Sequence, residues 1–388
     1  MVKSTWLLLV SGFFIISSCS HEQFSEQHRP YYNDHLIVGI DTNLVRLSDS
    51  MITWLSGIRL QNGLIETSYG SNLVSLYDNA LLALVYLQAN EHDRAAEIFS
   101  YFHARLSTEM LAGGGGYFQF RNAFGQPQGN RWLGDNAWLL IALNYYEHRT
   151  GDMQFHAMQE ALHEWIRMQQ DTDGGLWGGT DASGAVIGKV TEGMIDAFNA
   201  VPGYLPFHDS LLNYLEAERW DFGDQLPISW PGSNYYYALD NFSWGYCAFE
   251  GFPDRVLDEA DRFKTTQWHA AASDSITGYC FDEDRDVVWF EGTSQIAVAL
   301  IKAGRIEEAN TMLHELAKAV VRQPAAIVGV GLPYASNMGT GYGGGLLWSG
   351  ADTQPCTAAT AWFIMAARQF DPMALNYVKG IPDNSKFW

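Results

Sequence analysis

Helical segments of two kinds alternate along this chain, and the alternation limits the folds open to it. One kind is apolar on all sides, as in Asp78–Gln88, and the other is apolar on one face only, as in Asn43–Trp54. A helix that is apolar all round is buried, whereas an amphipathic helix faces water on one side. Six segments of each kind in alternation predict an all-α protein in which six inner helices are surrounded by six outer ones.

The segment boundaries follow from the apolar period and from helix breakers. The predicted outer helices are Asn43–Trp54, Glu91–Leu106, Met153–Met168, His208–Glu218, Arg255–Ala271 and Ile306–Val321. The predicted inner helices are Asp78–Gln88, Asp135–Tyr146, Glu192–Val201, Asp240–Phe249, Glu291–Lys302 and Thr357–Arg368.

The connections between segments differ in length with direction. Each inner helix reaches the next outer one through a short link such as Ala89–Asn90, whereas each outer helix reaches the next inner one through a long loop such as 107–134 or 322–356. The long loops then all emerge on one face of the double ring, and loops of this length are usually functional. Because the inner helices begin on that face, their first residues are predicted to lie at its mouth.

Five of the six inner helices begin with an acidic residue: Asp78, Asp135, Glu192, Asp240 and Glu291. An acidic residue at the head of a helix either caps it or belongs to a site. Glutamate is not preferred at caps, and Thr191 is better suited to capping than Glu192, so five caps are not expected. Asp240 alone is interpreted as a cap. Paired carboxyls at one mouth are what glycoside hydrolysis requires.

Three motifs carry a resemblance to known proteins: Trp-Leu-Gly-Asp-Asn-Ala-Trp at 132–138, Val-Thr-Glu-Gly-Met-Ile-Asp at 190–196 and Trp-Phe-Glu-Gly-Thr-Ser-Gln at 289–295. With the alternating helices and the one-sided long loops, they resemble the six-hairpin glycosidase-like superfamily, whose fold is an (α/α)6 toroid. The resemblance covers about residues 35–375. It implies a carbohydrate-active protein, but the superfamily contains hydrolases, sugar epimerases and polysaccharide lyases, and fold alone does not choose between them.

The first functional hypothesis is a glycoside hydrolase that acts on a neutral oligo- or polysaccharide. Glu192 is assigned as general acid and Asp135 as base, because Asp135 lies between tryptophans and Glu192 lies on the same helix face as Asp196. Sugar binding is assigned to further acids and aromatic residues of the helix heads and long loops: Asp78, Asp196, Glu291, Trp132, Trp138, Trp177, Tyr117, Trp289 and Trp348.

Three other classes stay open. A sugar epimerase of this superfamily would use histidine to abstract a proton, but no histidine begins an inner helix. A polysaccharide lyase would place basic residues against an acidic sugar, and Arg121, Arg131 and Lys189 are the only obvious cations of the long loops. A glycan-binding lipoprotein that has lost catalysis would retain the same pattern.

The charge balance excludes one class of partner. The formal net charge is −21, the sequence pI is about 4.7 and no basic cluster is present, so nucleic-acid binding is not expected. No nucleotide fingerprint and no Cys/His cluster with metal spacing is found, so the sequence predicts neither a cofactor nor a metal. The acidic run 282–286 is interpreted as a solvated loop, since it lacks the pattern of an EF-hand loop.

The N-terminus is interpreted as a targeting segment. Lys3 precedes an apolar run from Trp6 to Ile16, which is too short to span a bilayer, and Ser17-Ser18-Cys19 resembles a bacterial lipobox. Residues 1–18 are thus predicted to be a lipoprotein signal peptide, 19–34 a polar tether and 35–388 one domain. Cys19 is predicted to be the lipidated residue that attaches the exported protein to a bacterial membrane, which is the outer membrane in a Gram-negative cell. One disulfide among Cys247, Cys280 and Cys356 is allowed in that compartment.

Overall fold

The computed structural model describes residues 38–233, 235–373 and 379–388. The predicted signal peptide, the tether and Cys19 lie outside these ranges. Within them, no helix has both the length and the apolar character needed to cross a bilayer.

Helices make up most of the regular structure in this part of the chain. The odd-numbered helices are α1 (Thr42–Gly57), α3 (His92–His103), α5 (His156–Met168), α7 (Pro206–Arg219), α9 (Arg255–Glu259) and α11 (Ile306–Ala317). The even-numbered helices are α2 (Leu76–Gln88), α4 (Leu133–Thr150), α6 (Thr191–Ala200), α8 (Leu239–Ala248), α10 (Phe290–Lys302) and α12 (Thr357–Ala367). Shorter turns include a π-helix at Leu106–Met110 and 3₁₀ turns at Ala260–Phe263, Tyr342–Gly344 and Asp383–Ser385.

The even-numbered helices pack in a closed cycle. Each of α2, α4, α6, α8 and α10 packs against the next in the series, and α12 packs back against α2. They are buried almost throughout, and every residue of α12 is buried. The odd-numbered helices cover this cycle, with α3 on α2, α5 on α4, α7 on α6 and α11 on α10. The two layers agree with the predicted division into inner and outer helices, because an apolar helix needs neighbours on all sides.

The fifth predicted outer helix is wrong over most of its length. The sequence predicts a helix over Arg255–Ala271, but α9 ends at Glu259 and the chain forms a strand over Lys264–His269. This strand pairs in antiparallel fashion with Asp274–Tyr279, where the hydroxyls of the facing residues Thr266 and Thr277 lie 2.8 Å apart. The run Lys-Thr-Thr-Gln-Trp-His is rich in β-branched and aromatic residues, which favour a strand over the helical period of the apolar positions.

The other long loops are tied together by very short antiparallel pairings. Val74–Ser75 pairs with Phe120–Arg121, Phe120–Arg121 with Pro127–Gln128, Arg131–Trp132 with Gly179–Thr180, and Trp220–Asp221 with Leu226–Pro227. Two of these segments run directly into α2 and α4. The pairings therefore fix the start of these two inner helices from the loop side.

The three cysteines of the described residues are buried and free. The disulfide that the sequence allowed among Cys247, Cys280 and Cys356 does not form, and the Cys280 thiol instead donates to Asp284 at 3.4 Å.

Candidate active site

Six acidic side chains meet where the inner helices begin; we call them the carboxylate cluster: Asp78, Asp135, Glu192, Asp196, Asp240 and Glu291. Five of them are buried, and Glu192 is the one that stays partly exposed. They are close enough to affect one another, since Asp240, Asp135 and Glu291 all raise the pKa of Glu192 in addition to its burial. The cluster therefore opens to the outside at Glu192.

The acids of the cluster do not occupy the N-cap positions of their helices. The cap positions of α4, α6, α8 and α10 are held by Trp132, Val190, Ala238 and Trp289, none of which forms a side-chain cap bond in the described structure. The interpretation of Asp240 as a cap accounts for only one of its two hydrogen bonds. Asp240 is the second residue of α8, where one of its oxygens accepts from the Asn241 N–H at 2.7 Å and the other from the Tyr342 hydroxyl at 2.9 Å.

Asparagines beside two of the acids hold the long loops against the helix heads. The Asn79 amide accepts from the N–H of Ile65 at 2.9 Å and donates to its carbonyl at 3.1 Å. The Asn136 amide makes the same pair of bonds with Tyr117, at 2.8 and 3.0 Å. Each amide thereby satisfies both backbone groups of one loop residue in a buried setting, where leaving them unpaired is costly. The Asp-Asn motif therefore fixes both the loop and the adjacent aspartate.

Asp196 lies one helical turn beyond Glu192 on α6. It is fully buried, and the Trp138 side chain is the hydrogen-bonding group that favours its ionised form. One oxygen faces the backbone of Gly134, where an added Cβ would come within 2.8 Å of it. A carboxyl so enclosed is not accessible to a sugar, the contact that the sequence assigned to it.

Burial raises the pKa of every member of the cluster. It raises the pKa of Asp78 and Asp240 to about 6, and that of Asp135 and Glu291 to about 8. The pKa values of Glu192 and Asp196 lie well above the ordinary range, through burial first and neighbouring carboxylates second. Near neutral pH the cluster thus contains both protonated and ionised carboxyls, the condition that acid/base catalysis by two carboxyls requires.

Three tyrosines complete the accessible wall of the site, and the sequence analysis did not identify them. The Tyr77 hydroxyl donates to Glu291 at 2.8 Å and accepts from the Trp362 indole at 2.7 Å. Tyr342 donates to Asp240, and the charge of Glu291 raises the pKa of Tyr334, behind burial as the main cause. All three are partly exposed, as Glu192 is. Two of the three could have been found from the sequence: Tyr77 directly precedes Asp78, and Tyr342 lies in a glycine-rich loop. No local pattern pointed to Tyr334.

Three tryptophans close the centre of the ring beneath the helix heads. Trp138, Trp244 and Trp362 are each the sixth residue of their helices α4, α8 and α12. Their ring centroids lie 5.5, 5.6 and 6.3 Å apart, and all three are buried. The sixth residue of a helix lies about 6 Å further along the axis than the second. Trp138, predicted to bind sugar, is therefore part of the floor of the site.

Three of the predicted aromatic residues lie next to helix heads or on the rim. Trp132 is partly exposed and adjoins Gly134, while Trp289 stacks on Phe281 with centroids 4.6 Å apart. Trp348 is 41% exposed and packs on Tyr334 at 4.4 Å. Trp132 and Trp348 therefore provide apolar faces of the kind on which sugar rings pack, whereas Trp289 is buried and packs against Phe281.

Tyr117 and Trp177 have other surroundings. Tyr117 is fully buried, and its hydroxyl donates to the Phe102 carbonyl of α3 at 2.8 Å, so it is a packing residue and not the sugar platform that the sequence predicted. The Trp177 ring lies 4.6 Å from the Lys189 ammonium. That ammonium pairs with Asp171 and Asp173, at 2.8 and 2.6 Å.

The other two loop cations are also engaged away from the cluster. Arg121 pairs with Glu109 at 3.0 Å, and Arg131 donates to the carbonyls of Glu109 and Gly115 at 2.9 and 3.2 Å. Within the described residues, no lysine or arginine is among the groups that shift the pKa values of the carboxylate cluster. The cluster is therefore a concentration of buried acids without a basic partner.

The spacing of the cluster does not suit a metal ion. Across the described ranges, no three of its carboxyls bring oxygens within 4.8 Å of one another, whereas Cys280, Asp282 and Asp284 do bring their ligand atoms that close. The oxygens of that acidic run accept hydrogen bonds from the protein, including 3.0 Å from Thr340 to Asp284. Glu283 and Asp284 are exposed, in line with the solvated loop that the sequence predicts.

Comparison with known proteins places the fold. No protein-family model and no curated protein matches the sequence. A wild-type glycosidase matches with 12% identity and a TM-score of 0.60, over 85% of this chain and 98% of that one. A sugar epimerase from a ruminal bacterium matches with 11% identity and a TM-score of 0.59, over 84% and 98%. A D-mannose isomerase matches with 12% identity and a TM-score of 0.59, over 86% and 98%. The chain thus shares its fold with enzymes that act on carbohydrates.

Proposed function

We propose that this chain is a glycoside hydrolase with the (α/α)6 toroid fold, that it acts on a neutral oligo- or polysaccharide and that Glu192 is its general acid. The observation that carries the proposal is the buried carboxylate cluster, which combines protonated and ionised groups around the partly exposed Glu192. The shared fold with a glycosidase supports it.

In the proposed reaction Glu192 gives its proton to the glycosidic oxygen as the bond to the anomeric carbon breaks, and the bonding electrons stay with that oxygen. An ionised carboxylate accepts a proton from the water that attacks the anomeric carbon. The sequence assigns this second role to Asp135. Its burial beside Asp78 fits a place at the site, although a pKa of about 8 leaves it largely protonated at neutral pH.

A neutral substrate follows from the charges at the site. A sugar acid would bring a further negative charge to six carboxyls, and the loop cations that could balance it pair with Glu109, Asp171 and Asp173 instead. This also argues against a polysaccharide lyase, which would need basic groups near the sugar acid. The partly exposed rings of Trp132 and Trp348 offer apolar surfaces for a neutral sugar.

A sugar epimerase or isomerase is the second candidate, because two proteins of those activities share the fold. The cluster argues for hydrolysis instead: within the described part of the chain, no histidine is among the groups that shift its pKa values. A glycan-binding protein without activity is the third.

One experiment separates these candidates. The purified protein is incubated with a panel of neutral oligosaccharides and, separately, of free aldoses and ketoses, and the products are resolved by chromatography. We expect release of shorter sugars, and a loss of about 10²–10⁴-fold in rate for Glu192→Gln. The exposed Glu164→Gln on α5 is the matched control and keeps full activity.

Near-normal hydrolysis by Glu192→Gln contradicts the proposed chemistry, and near-normal hydrolysis by Asp135→Asn removes Asp135 as the base. Conversion of a free sugar without hydrolysis would establish the second candidate instead, and saturable binding without any conversion the third.

We also propose that Cys19 carries a lipid that anchors the exported protein to a bacterial membrane. A bacterium that expresses the protein is grown with a labelled fatty acid. The wild-type protein should become labelled, and Cys19→Ala should not. Fractionation of inner and outer membranes tests the predicted outer-membrane location, and an unlabelled wild-type chain contradicts the anchor.

A further inference from the structure

We infer that Asp240, held in place by Tyr342, is the carboxylate that works with Glu192 in place of Asp135. The inference rests on the proposed hydrolase function and adds to it a catalytic residue, Asp240, and a positioning residue, Tyr342.

The positions of the two carboxyls in their helices support this pairing. The helices α6 and α8 pack against each other, and Glu192 and Asp240 are the second residues of the two. They therefore lie at the same level on neighbouring helices of the ring. Asp135 is the third residue of α4, which turns it by about 100° from that position. The equivalent second residue of α4 is Gly134, which carries no side chain.

The neighbours of Asp135 lie on the other side, toward α2. After burial, the group that most raises its pKa is Asp78, and the Tyr77 backbone and Gln119 side chain favour its ionised form. Asp78 is likewise the third residue of its helix. For Glu192, the carboxylate that most raises the pKa is Asp240. Asp135 also raises the pKa of Glu192, but less than Asp240 does, so the carboxylate that acts most on Glu192 is Asp240 and the one that acts most on Asp135 is Asp78.

Hydrogen bonding also distinguishes Asp240 from Asp135. Both oxygens of Asp240 accept a bond, one from the Tyr342 hydroxyl and one from the Asn241 N–H. One oxygen of Asp135 is buried without a partner among the described residues. Donors favour the ionised form of both carboxyls, but the neighbouring charge of Asp78 raises the pKa of Asp135 further, to about 8, while that of Asp240 is raised only to about 6.

The groups that face Asp240 are the carboxyls of Glu192 and Asp196 on α6, the carboxyl of Glu291 on α10, and the Tyr342 phenol of the loop before α12. Asp240 raises the pKa of all three carboxyls, while the phenol favours the ionised form of Asp240 as a hydrogen-bond donor. The reaction needs one ionised and one protonated carboxyl, and Asp240 and Glu192 provide them.

In the reaction, Asp240 removes one proton from the attacking water while the water oxygen bonds to the anomeric carbon. Glu192 delivers its proton to the departing glycosidic oxygen, which keeps the electron pair of the broken bond. One proton has moved from Glu192 to the product and one from water to Asp240. Their exchange with solvent restores the starting state.

The first test removes each candidate carboxylate and supplies a small anion in its place. Asp240→Ala and Asp135→Ala are assayed with and without sodium formate on a substrate that the wild type hydrolyses. We expect Asp240→Ala to lose about 10²–10⁴-fold and to regain activity with formate, because formate fills the space and accepts the proton. The loss in Asp135→Ala should be smaller and insensitive to formate. Asp240→Asn, which preserves shape, should be as inactive as Asp240→Ala while unfolding at the wild-type temperature.

The second test uses the pH profile. Tyr342→Phe removes a donor to ionised Asp240, so the pKa of Asp240 rises and the acidic limb of kcat/KM moves to higher pH. Tyr246→Phe is the matched control, since that tyrosine also donates to an aspartate, Asp254 at 2.6 Å, but lies near the other end of α8. Its acidic limb should not move.

Rescue of Asp135→Ala instead of Asp240→Ala, or an unmoved limb in Tyr342→Phe, overturns the inference while the hydrolase function stands. A wild type without hydrolytic activity, or an active Glu192→Gln, overturns the proposed function itself.

Discussion

The molecule contains two groups of buried acids, and the cost of burying their negative charge is offset in different ways. In the loop after α3, Glu109 is buried with Arg121 and accepts from its guanidinium at 3.0 Å and from the Phe118 N–H at 2.9 Å. At the ring mouth, six acids are gathered and no basic residue of the described chain is among the groups that shift their pKa values. The first group neutralises its charge by pairing, and the second does so by binding protons.

This difference separates a structural role from a chemical one. Burying an ionised carboxylate is costly unless it is paired and hydrogen-bonded, and a group that lacks a partner shifts its pKa instead. Shifted groups at the head of several helices cannot be explained as a device for stability, since they would be more stable as apolar residues. Such groups are typical of sites that move protons.

The largest effect on stability is expected where the charge is paired. Glu109→Gln leaves Arg121 buried without its counter-ion and should lower the free energy of unfolding by about 3–5 kcal/mol, measured by urea denaturation. Glu97→Gln removes an exposed partner of Arg59 and should cost less than about 1 kcal/mol. Equal losses in the two variants would remove the distinction between a buried pair and a surface pair.

The carboxylate cluster should make the folded protein less stable as the pH rises. The pKa of Asp135 and Glu291 is raised to about 8 in the folded protein, from ordinary values of 3.8 and 4.5. The folded state therefore binds more protons than the unfolded state between about pH 4 and pH 8, and stability falls as pH rises through that window.

Denaturation at several pH values across the window checks this. Asp135→Asn removes one of the shifted groups, so its stability should fall less steeply with pH than that of the wild type. A slope that the substitution leaves unchanged would mean that Asp135 is not protonated in the folded protein.

A smaller effect is expected for Tyr117, which lies beside the paired group. Tyr117→Phe loses the hydroxyl bond to the Phe102 carbonyl and should lower stability by about 1 kcal/mol without changing kcat/KM. A weaker affinity for substrate at unchanged stability would restore the sugar-binding role that the sequence assigned to this residue.

The smallest effect on stability is expected at Asp196. Burial holds the pKa of Asp196 well above its ordinary value, so Asp196→Asn replaces one neutral group with another and should change the free energy of unfolding by less than about 1 kcal/mol. Glu192 raises the pKa of Asp196, but Asp196 is not among the groups that raise the pKa of Glu192, so the alkaline limb of kcat/KM should not move. A stability loss as large as that of Glu109→Gln would show that Asp196 is ionised.

Local sequence patterns predicted most of the helices and the place of the acids. The apolar period defined both layers, and the acid at the head of five inner helices indicated where the carboxyls meet. The same reasoning failed over Lys264–His269, where strand propensity outweighed the apolar spacing. Signal peptide, tether and lipidation at Cys19 stay predictions.

What the sequence could not predict depends on contacts between distant segments. The bond from Tyr342 to Asp240 spans 102 positions, and the bond from Tyr77 to Glu291 spans 214. A local pattern shows that Asp240 begins a helix, but not that a tyrosine of another loop donates to it. Capping was therefore the simpler interpretation of Asp240 until the loops were placed.

Closure of the ring between α12 and α2 makes the order of synthesis matter for this protein. The bond from the Trp362 indole to the Tyr77 hydroxyl joins residues 285 positions apart. While the chain is being made, one flank of α2 stays uncovered until nearly the whole domain has been synthesised. Contacts of such long range form slowly and expose apolar surface in the meantime. Tyr77 also holds Glu291, so a nascent chain lacks an assembled site until its last inner helix is in place.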